Sequence, residues 1–237
     1  VLTWQGRWRE ADSELTAAWG WFAESRPPMV GDALVRLAEL RRRQGRLDEA
    51  EELFTQCEGH PLALLGRAAL ALDRGQTEEA AELADRFLRR FPAPDRVERC
   101  AGLELAVRAH ARQGKLDLAR EASDQLQEIA TRAGTRPLEA AALASNATVA
   151  TASGDLDAAR RFLEDALDLV PASQAPFENA RLRLDLAAAL AALGRRQQAG
   201  RETEAAFTAL RAIGANREAA RGEAMLARLR SAPPPVP

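Results

Sequence analysis

The chain has 237 residues, of which 46% are apolar and 29% charged, a composition typical of a globular protein. Its formal net charge of −2 excludes the basic surface that holds a nucleic-acid backbone, so no direct nucleic-acid binding is expected. No apolar stretch reaches the roughly 18 residues that cross a bilayer, which excludes a membrane-spanning helix. Aromatic residues are scarce, and the abundance of alanine and leucine favours packed helices.

A six-residue phrase recurs along the chain and predicts its architecture. The copies are GRWREA from Gly6, GRLDEA from Gly45, GQTEEA from Gly75, GKLDLA from Gly114, GDLDAA from Gly154 and GRRQQA from Gly194. Each glycine is predicted to end one helix in the left-handed conformation. Each alanine five residues later is predicted to lie where two helices cross, because a larger side chain would push them apart. The phrase therefore predicts a series of helical hairpins.

The predicted elements follow in chain order. Residues 1–5 are predicted to be the end of a first helix, and its partner covers about 8–24. The next five pairs are predicted at 32–44 with 47–59, 62–74 with 77–90, 96–113 with 116–132, 137–153 with 156–169, and 176–193 with 196–212. A closing helix is predicted at about 216–230. Residues 1–230 thus form one helical repeat domain with an incomplete first repeat, and 231–237 form a proline-rich tail expected to be disordered.

The repeat resembles a known family. Glycine, alanine five residues later, a bulky residue at nine, a small one at twelve and, in two copies, a proline at seventeen (Pro92 and Pro171) are similar to the tetratricopeptide repeat. The resemblance implies an all-α, right-handed solenoid of about six helix–turn–helix repeats with a C-terminal capping helix. The glycines are mostly 39 or 40 residues apart and the first helices lack the family's tryptophan, features that resemble the MalT-like subgroup found in LuxR-type transcriptional regulators.

All four tryptophans lie within the first 22 residues. Trp8 and Trp19 occupy repeat positions that are mostly apolar in the other copies, so we expect them in the core. The positions of Trp4 and Trp21 leave core and binding surface equally open. We interpret the cluster mainly as a core that lies open where the first repeat is incomplete. An exposed first repeat would also allow two copies of the chain to pair.

No residue pattern points to catalysis, a metal or a cofactor. His60 and His110 lie in different repeats, and we expect His110 to be packed with its polar atoms satisfied. Cys57 and Cys100 are predicted to be buried thiols in a reducing, cytoplasmic compartment. Asn146 is predicted to be buried with a hydrogen-bond partner, with solvent or ligand contact left open. We therefore expect a protein that is not an enzyme.

The resemblance implies that the first helix of each repeat lines a concave groove. Chaperone-binding members of the family clamp a peptide carboxylate with lysine and asparagine, at positions where this chain has pairs such as Val35/Glu39 and Leu65/Ala69, so that clamp is missing. The candidate groove residues are Glu39, Arg42, Arg43, Glu104, Arg108, Arg112, Thr148 and Thr151. The arginines are able to hold a carboxylate or phosphate. The alternative is that they pair with Glu39 and Glu104 and hold nothing.

These expectations converge on a non-catalytic module. It is predicted to bind a protein, a peptide or a small effector in its groove, as the sensor or interaction segment of a larger bacterial signalling or transcriptional regulator. A stand-alone peptide-binding scaffold or adaptor is the alternative. The sequence names neither the ligand nor the partner.

Overall fold

The computed structural model describes residues 1–231, and the tail predicted beyond Ser231 lies outside the described residues. Two short 3₁₀ turns, Pro27–Met29 and Val97–Arg99, precede the second and sixth α-helices. The α-helices of the described part are α1 (Trp8–Ser25), α2 (Val30–Gln44), α3 (Leu47–Gln56), α4 (Pro61–Asp73), α5 (Thr77–Leu88), α6 (Cys100–Arg112), α7 (Leu116–Ala133), α8 (Arg136–Ser153), α9 (Leu156–Leu169), α10 (Pro176–Ala192), α11 (Arg196–Ile213) and α12 (Asn216–Ser231).

The predicted all-α repeat architecture is confirmed, with five helix pairs following α1 and with α12 as the closing helix. Two predicted bounds are wrong by a few residues. α3 ends at Gln56, because Pro61 keeps His60 in an extended conformation and forces a break before α4. α6 begins only at Cys100, after a 3₁₀ turn. Residues 2–6 form a turn instead of the end of an α-helix.

The glycine and the alanine of the recurring six-residue phrase largely have the structural roles expected from their residue types. Its six glycines all have φ between 73° and 85°. L-residues rarely adopt this left-handed conformation, so glycine ends the helix at the lowest cost. The six alanines are at most 2% exposed, as expected at positions where a larger side chain would push helices apart. Five of the six glycines end a helix as predicted, whereas Gly6 ends the turn at residues 2–6.

Close helix packing also depends on glycines outside the phrase. Gly66 of α4 lies so near the Phe54 ring of α3 that an added Cβ would overlap the ring. Phe54 is fully buried and cannot move aside. We expect Gly66→Ala to lower the free energy of unfolding by about 1–3 kcal/mol, the usual cost of overpacking. Urea denaturation followed by circular dichroism measures this change.

The control for Gly66→Ala is Gly200→Ala in α11. An added Cβ there has no neighbour within 4 Å, and the residue is helical. Alanine favours a helix over glycine, so this variant is expected to be up to about 1 kcal/mol more stable. Equal effects of the two substitutions would contradict the packing argument.

The two ends of the solenoid meet. Trp8 of α1 packs against Phe177 of α10, with ring centroids 5.3 Å apart. Both belong to one buried apolar cluster, to which α2 and α11 also contribute. We call this contact the closure seam and define it by Trp8, Leu40, Phe177, Leu210 and Ala215. The first repeat is therefore held against the last.

The tryptophan predictions have mixed outcomes. Trp8 is 2% exposed, as expected for a core residue, and Trp19 is partly buried against the α2–α3 core. The interpretation of an open core is wrong for Trp8, because α10 covers its ring. Trp4 and Trp21 are 41% and 54% exposed. Pairing of two copies through the first repeat stays a prediction, and Trp8 is not available for it.

Candidate functional site

Charged side chains from five helices meet inside the closed solenoid. The first helices α2, α4, α6 and α10 contribute groove positions, and α12 approaches them because the ends of the solenoid meet. We call this group the interior network. Its arginines are Arg42, Arg43, Arg108, Arg112, Arg181, Arg217 and Arg221. Its carboxylates are Glu39, Asp73, Glu104, Glu178, Asp185 and Glu218.

The α2 end of the network is saturated with ion pairs. Arg42 donates from Nε and Nη2 to the two carboxylate oxygens of Glu39, at 2.8 and 2.7 Å. Arg43 donates to Glu39 at 2.8 Å and to Glu178 of α10 at 3.0 Å. Burial alone would raise the pKa of Glu39, but the two guanidinium groups outweigh it and lower the pKa to about 2. The charged groups at this end therefore bind one another, and none of them is left without an ion-pair partner.

Asp73 joins three elements of the fold. Its carboxylate, 5% exposed, accepts from Arg42 of α2 and lies 3.0 Å from Arg217 of α12. Arg217 also donates to the backbone oxygen of Asp73 at 2.9 Å. Asp73 at the end of α4 therefore fastens the second helix to the last, beside the closure seam.

Arg108 differs from the arginines around it. It forms neither an ion pair nor a hydrogen bond with any of residues 1–231. Arg112 donates to the backbone oxygen of Leu72 at 2.8 Å but contacts no carboxylate of the described chain. Arg181 lies 3.7 Å from Glu104, the one acidic residue of α6. The sequence had suggested Glu104 as the partner of Arg108, but Glu104 pairs with Arg181 instead.

The environment of Arg108 disfavours its charge. Burial, followed by repulsion from Arg181, lowers the pKa of Arg108 to about 10. Burial also lowers the pKa of Arg112. The pKa values of Arg42 and Arg43 are instead raised, because their acidic partners outweigh burial. Glu104 and Asp73 attract Arg108 from beyond ion-pair distance and only partly oppose these effects. The α6 side of the interior therefore holds two arginines without a carboxylate in direct contact, an arrangement that attracts an anion.

The structure separates the predicted groove residues into three groups. Glu39, Arg42 and Arg43 pair with one another, which is the alternative that sequence left open. Arg108 and Arg112 do not pair with Glu104 as that alternative expected, because Glu104 lies against Arg181. Thr148 donates to the Ala144 carbonyl of its own helix at 3.0 Å, and Thr151 is exposed. Neither threonine contacts the interior network.

Sequence reasoning missed the residues that close the network. Glu178 lies at the start of α10, outside the groove register, and Arg217 and Arg221 lie on the closing helix. No local signal marks α12 as part of the interior, since its approach to α2 and α4 depends on the whole chain. Asp73 lies at the end of α4, and nothing in the sequence signalled its ion pairs with Arg42 and Arg217.

The remaining polar candidates have structural roles. His110 is buried as expected, but its Nδ1 has no hydrogen-bond partner among the described residues, so the expectation of a fully satisfied ring is wrong. Burial lowers the pKa of His110. Asn146 is partly buried, accepts from Ser123 at 2.7 Å and donates to Gln127 at 3.1 Å.

Cys57 and Cys100 are buried free thiols, as predicted. Residues 1–231 contain no group of three or more His, Cys, Asp or Glu side chains able to hold a metal ion. In the same described part, every helix is too short or too polar to span a bilayer.

Comparison with protein families finds two matches, both described as tetratricopeptide repeat. One model matches residues 98–172, and the other matches 32–59 and 62–93. Together they cover the first four helix pairs after α1 almost completely. No curated protein matches the chain in sequence.

Several solved structures share the fold. BtubC (BKLC) from P. vanneervenii superposes with a TM-score of 0.57 and 18% identity, over 98% of this chain and 94% of that chain. TTC0263, a thermophilic TPR protein from Thermus thermophilus, superposes with a TM-score of 0.61 and 20% identity, over 85% of this chain and 97% of that chain. A STAND protein with a tetratricopeptide repeat sensor from Pyrococcus horikoshii superposes with a TM-score of 0.61 and 13% identity, over 93% of this chain and 37% of that chain. At these identities the likeness establishes the fold alone.

Proposed function

Because the chain is built of tetratricopeptide repeats, which are protein-interaction modules, we propose that it is a non-catalytic module that binds an anionic group in its interior. The ligand is a carboxylate or phosphate carried by a protein partner, a peptide or a small effector. One observation carries this proposal: Arg108 is a partly buried cation with no carboxylate within ion-pair distance among residues 1–231.

The chemistry follows from the two arginines of α6. A guanidinium donates through a planar fork that matches the two oxygens of a carboxylate or phosphate. Arg108 and Arg112 are four residues apart on one helix, so both lie on the same face. An oxyanion between them would offset the repulsion from Arg181 and the cost of burial. The ligand would then bridge α6 and α10 across the interior.

We further infer that the module is the sensor or interaction segment of a larger bacterial signalling or transcriptional regulator. The likeness to a TPR sensor region that makes up 37% of a STAND protein is compatible with this view. A ligand between α6 and α10 would shift the packing of neighbouring repeats and so bias attached domains. The second candidate is a stand-alone adaptor, with which the match to 94% of BtubC is compatible. The intact mass of the native protein and the presence of flanking ATPase or DNA-binding domains decide between them.

Substitution of Arg108 by methionine tests the anion site. Titration calorimetry with succinate and with inorganic phosphate is expected to show binding to the native chain and a loss of about tenfold or more in affinity for Arg108→Met. The variant should also be up to about 1 kcal/mol more stable in urea, because a partly buried charge without an ion pair is replaced by an apolar side chain of similar volume. If Arg108→Met is stable but no longer binds the anions, Arg108 acts in ligand binding and is not required for the fold.

The matched control is Arg161→Met on α9, an exposed arginine that makes no ion pair among the described residues. It should bind both anions like the native chain. No binding of either anion to the native chain at millimolar concentration, or equal binding to Arg108→Met, would overturn the proposal.

A further inference from the structure

A second group of arginines lies outside the interior network, at the rim of the closure seam. A cavity of about 570 Å³ opens there between the first repeat and the last. Both ends of the chain line it, since the start of α1, the α2–α3 turn and the α11–α12 turn all reach it. Its charged and polar lining includes Arg7, Arg9, Glu10, Arg46, Arg211 and Asn216.

The lining carries more positive charge than its single acid balances. Four arginines against Glu10 leave a formal charge of 4 − 1 = +3. Arg7 pairs with Glu10 and Arg46 pairs with Glu49, each on its own helix start and each exposed. Such exposed pairs contribute only about 0.2–1 kcal/mol, so an incoming anion can replace them at little cost.

Two of the four lining arginines make no ion pair with a carboxylate. Neither Arg9 nor Arg211 makes an ion pair within the part of the chain that the structure describes. Arg211 lies over the Phe207 ring, 5.7 Å from its centroid, which restricts its guanidinium without neutralising it. Arg9 belongs to α1 and Arg211 to α11, so the two unmatched charges come from opposite sides of the seam.

We propose that this cavity binds a compact multivalent oxyanion of the diphosphate class, and that the bound ion clamps the first repeat to the last. Arginine forks suit phosphate oxygens, and the cavity lies within the roughly 300–1,000 Å³ typical of small-molecule sites. The site exists only while the seam is closed, because its arginines belong to both ends. A ligand that binds only the closed form stabilises it by mass action. This site is separate from the proposed interior site and does not depend on it.

The test uses the intact chain and two probes. Inorganic pyrophosphate and ADP are titrated at matched ionic strength into the native chain and into Arg9→Ala/Arg211→Ala. The double variant removes two accessible cations that make no ion pair, so it is expected to fold normally and to lose about tenfold or more in affinity. The control pair is Arg161→Ala/Arg201→Ala, two exposed arginines outside the cavity that also lack ion pairs in residues 1–231.

The outcomes are distinguishable. Binding of pyrophosphate and ADP alike supports recognition of a diphosphate group, and binding of pyrophosphate alone supports a free ion. An equal loss in both double variants shows nonspecific attraction and overturns the proposal, as does an absence of binding. Arg108→Met must keep its affinity for pyrophosphate, which separates this site from the interior one. The clamp is wrong if saturating pyrophosphate leaves the urea midpoint of tryptophan fluorescence unchanged.

Discussion

Replacing Trp8 with alanine is expected to lower the free energy of unfolding by about 3–5 kcal/mol, the usual cost of removing a large buried aromatic side chain. Trp8 is 2% exposed, its ring lies against Phe177, and its indole nitrogen donates to the Thr3 carbonyl at 2.9 Å. The substitution removes the largest side chain of the closure seam. Urea denaturation gives the free energy, and hydrogen exchange locates the loss.

The matched control for this effect is Trp21→Ala. Trp21 lies on the same helix, but 54% of it is exposed and its ring contacts only Phe22 and Arg26 among the aromatic and cationic groups of the described chain. Its removal is expected to change stability by about 0.5 kcal/mol or less. In Trp8→Ala, exchange should rise most in α1, α2 and α10, whose contacts form the seam. Similar losses for both variants would show that the seam does not hold the ends together.

Replacing Asp73 with asparagine is expected to cost about 3 kcal/mol, within the range for removing one partner of a buried ion pair. Asn keeps the shape of the side chain, so the loss reports on charge. Arg42 and Arg217 would each lose an acidic partner, although Arg42 keeps Glu39 and Arg217 keeps Glu218. For this reason the effect is placed at the lower end of the range. Urea denaturation at neutral pH measures it.

Asp48→Asn is the control for the Asp73 substitution. Asp48 also pairs with an arginine, Arg74, at 2.8 Å, but its side chain is 96% exposed. Water screens such a pair, so its loss should cost about 0–1 kcal/mol. High salt should abolish the small effect at Asp48 and leave most of the effect at Asp73. If Asp73→Asn is as mild as the control, the interior network does not stabilise the closed solenoid.

The sequence predicted the repeating part of the fold closely, because its signals are local. A glycine that ends a helix and an alanine at a helix crossing act within one helical hairpin, so Gly45 and Ala50 reveal their roles without knowledge of the rest. The candidate site was predicted only in part. The groove register placed Arg108 and Arg112 inside, but it did not show that Glu104 would lie against Arg181 of α10 instead of Arg108.

By itself the sequence determined that this protein is an all-α solenoid, where the turn within each hairpin lies, and which helix of each pair faces the interior. The tertiary structure alone decided that the ends meet, that Phe177 covers Trp8 and that Arg217 reaches Asp73. The physical reason is cumulative geometry. Each repeat is oriented by the repeat next to it, and the small rotation between repeats adds up along the chain. Whether residues far apart in sequence touch depends on that sum, which no single repeat encodes.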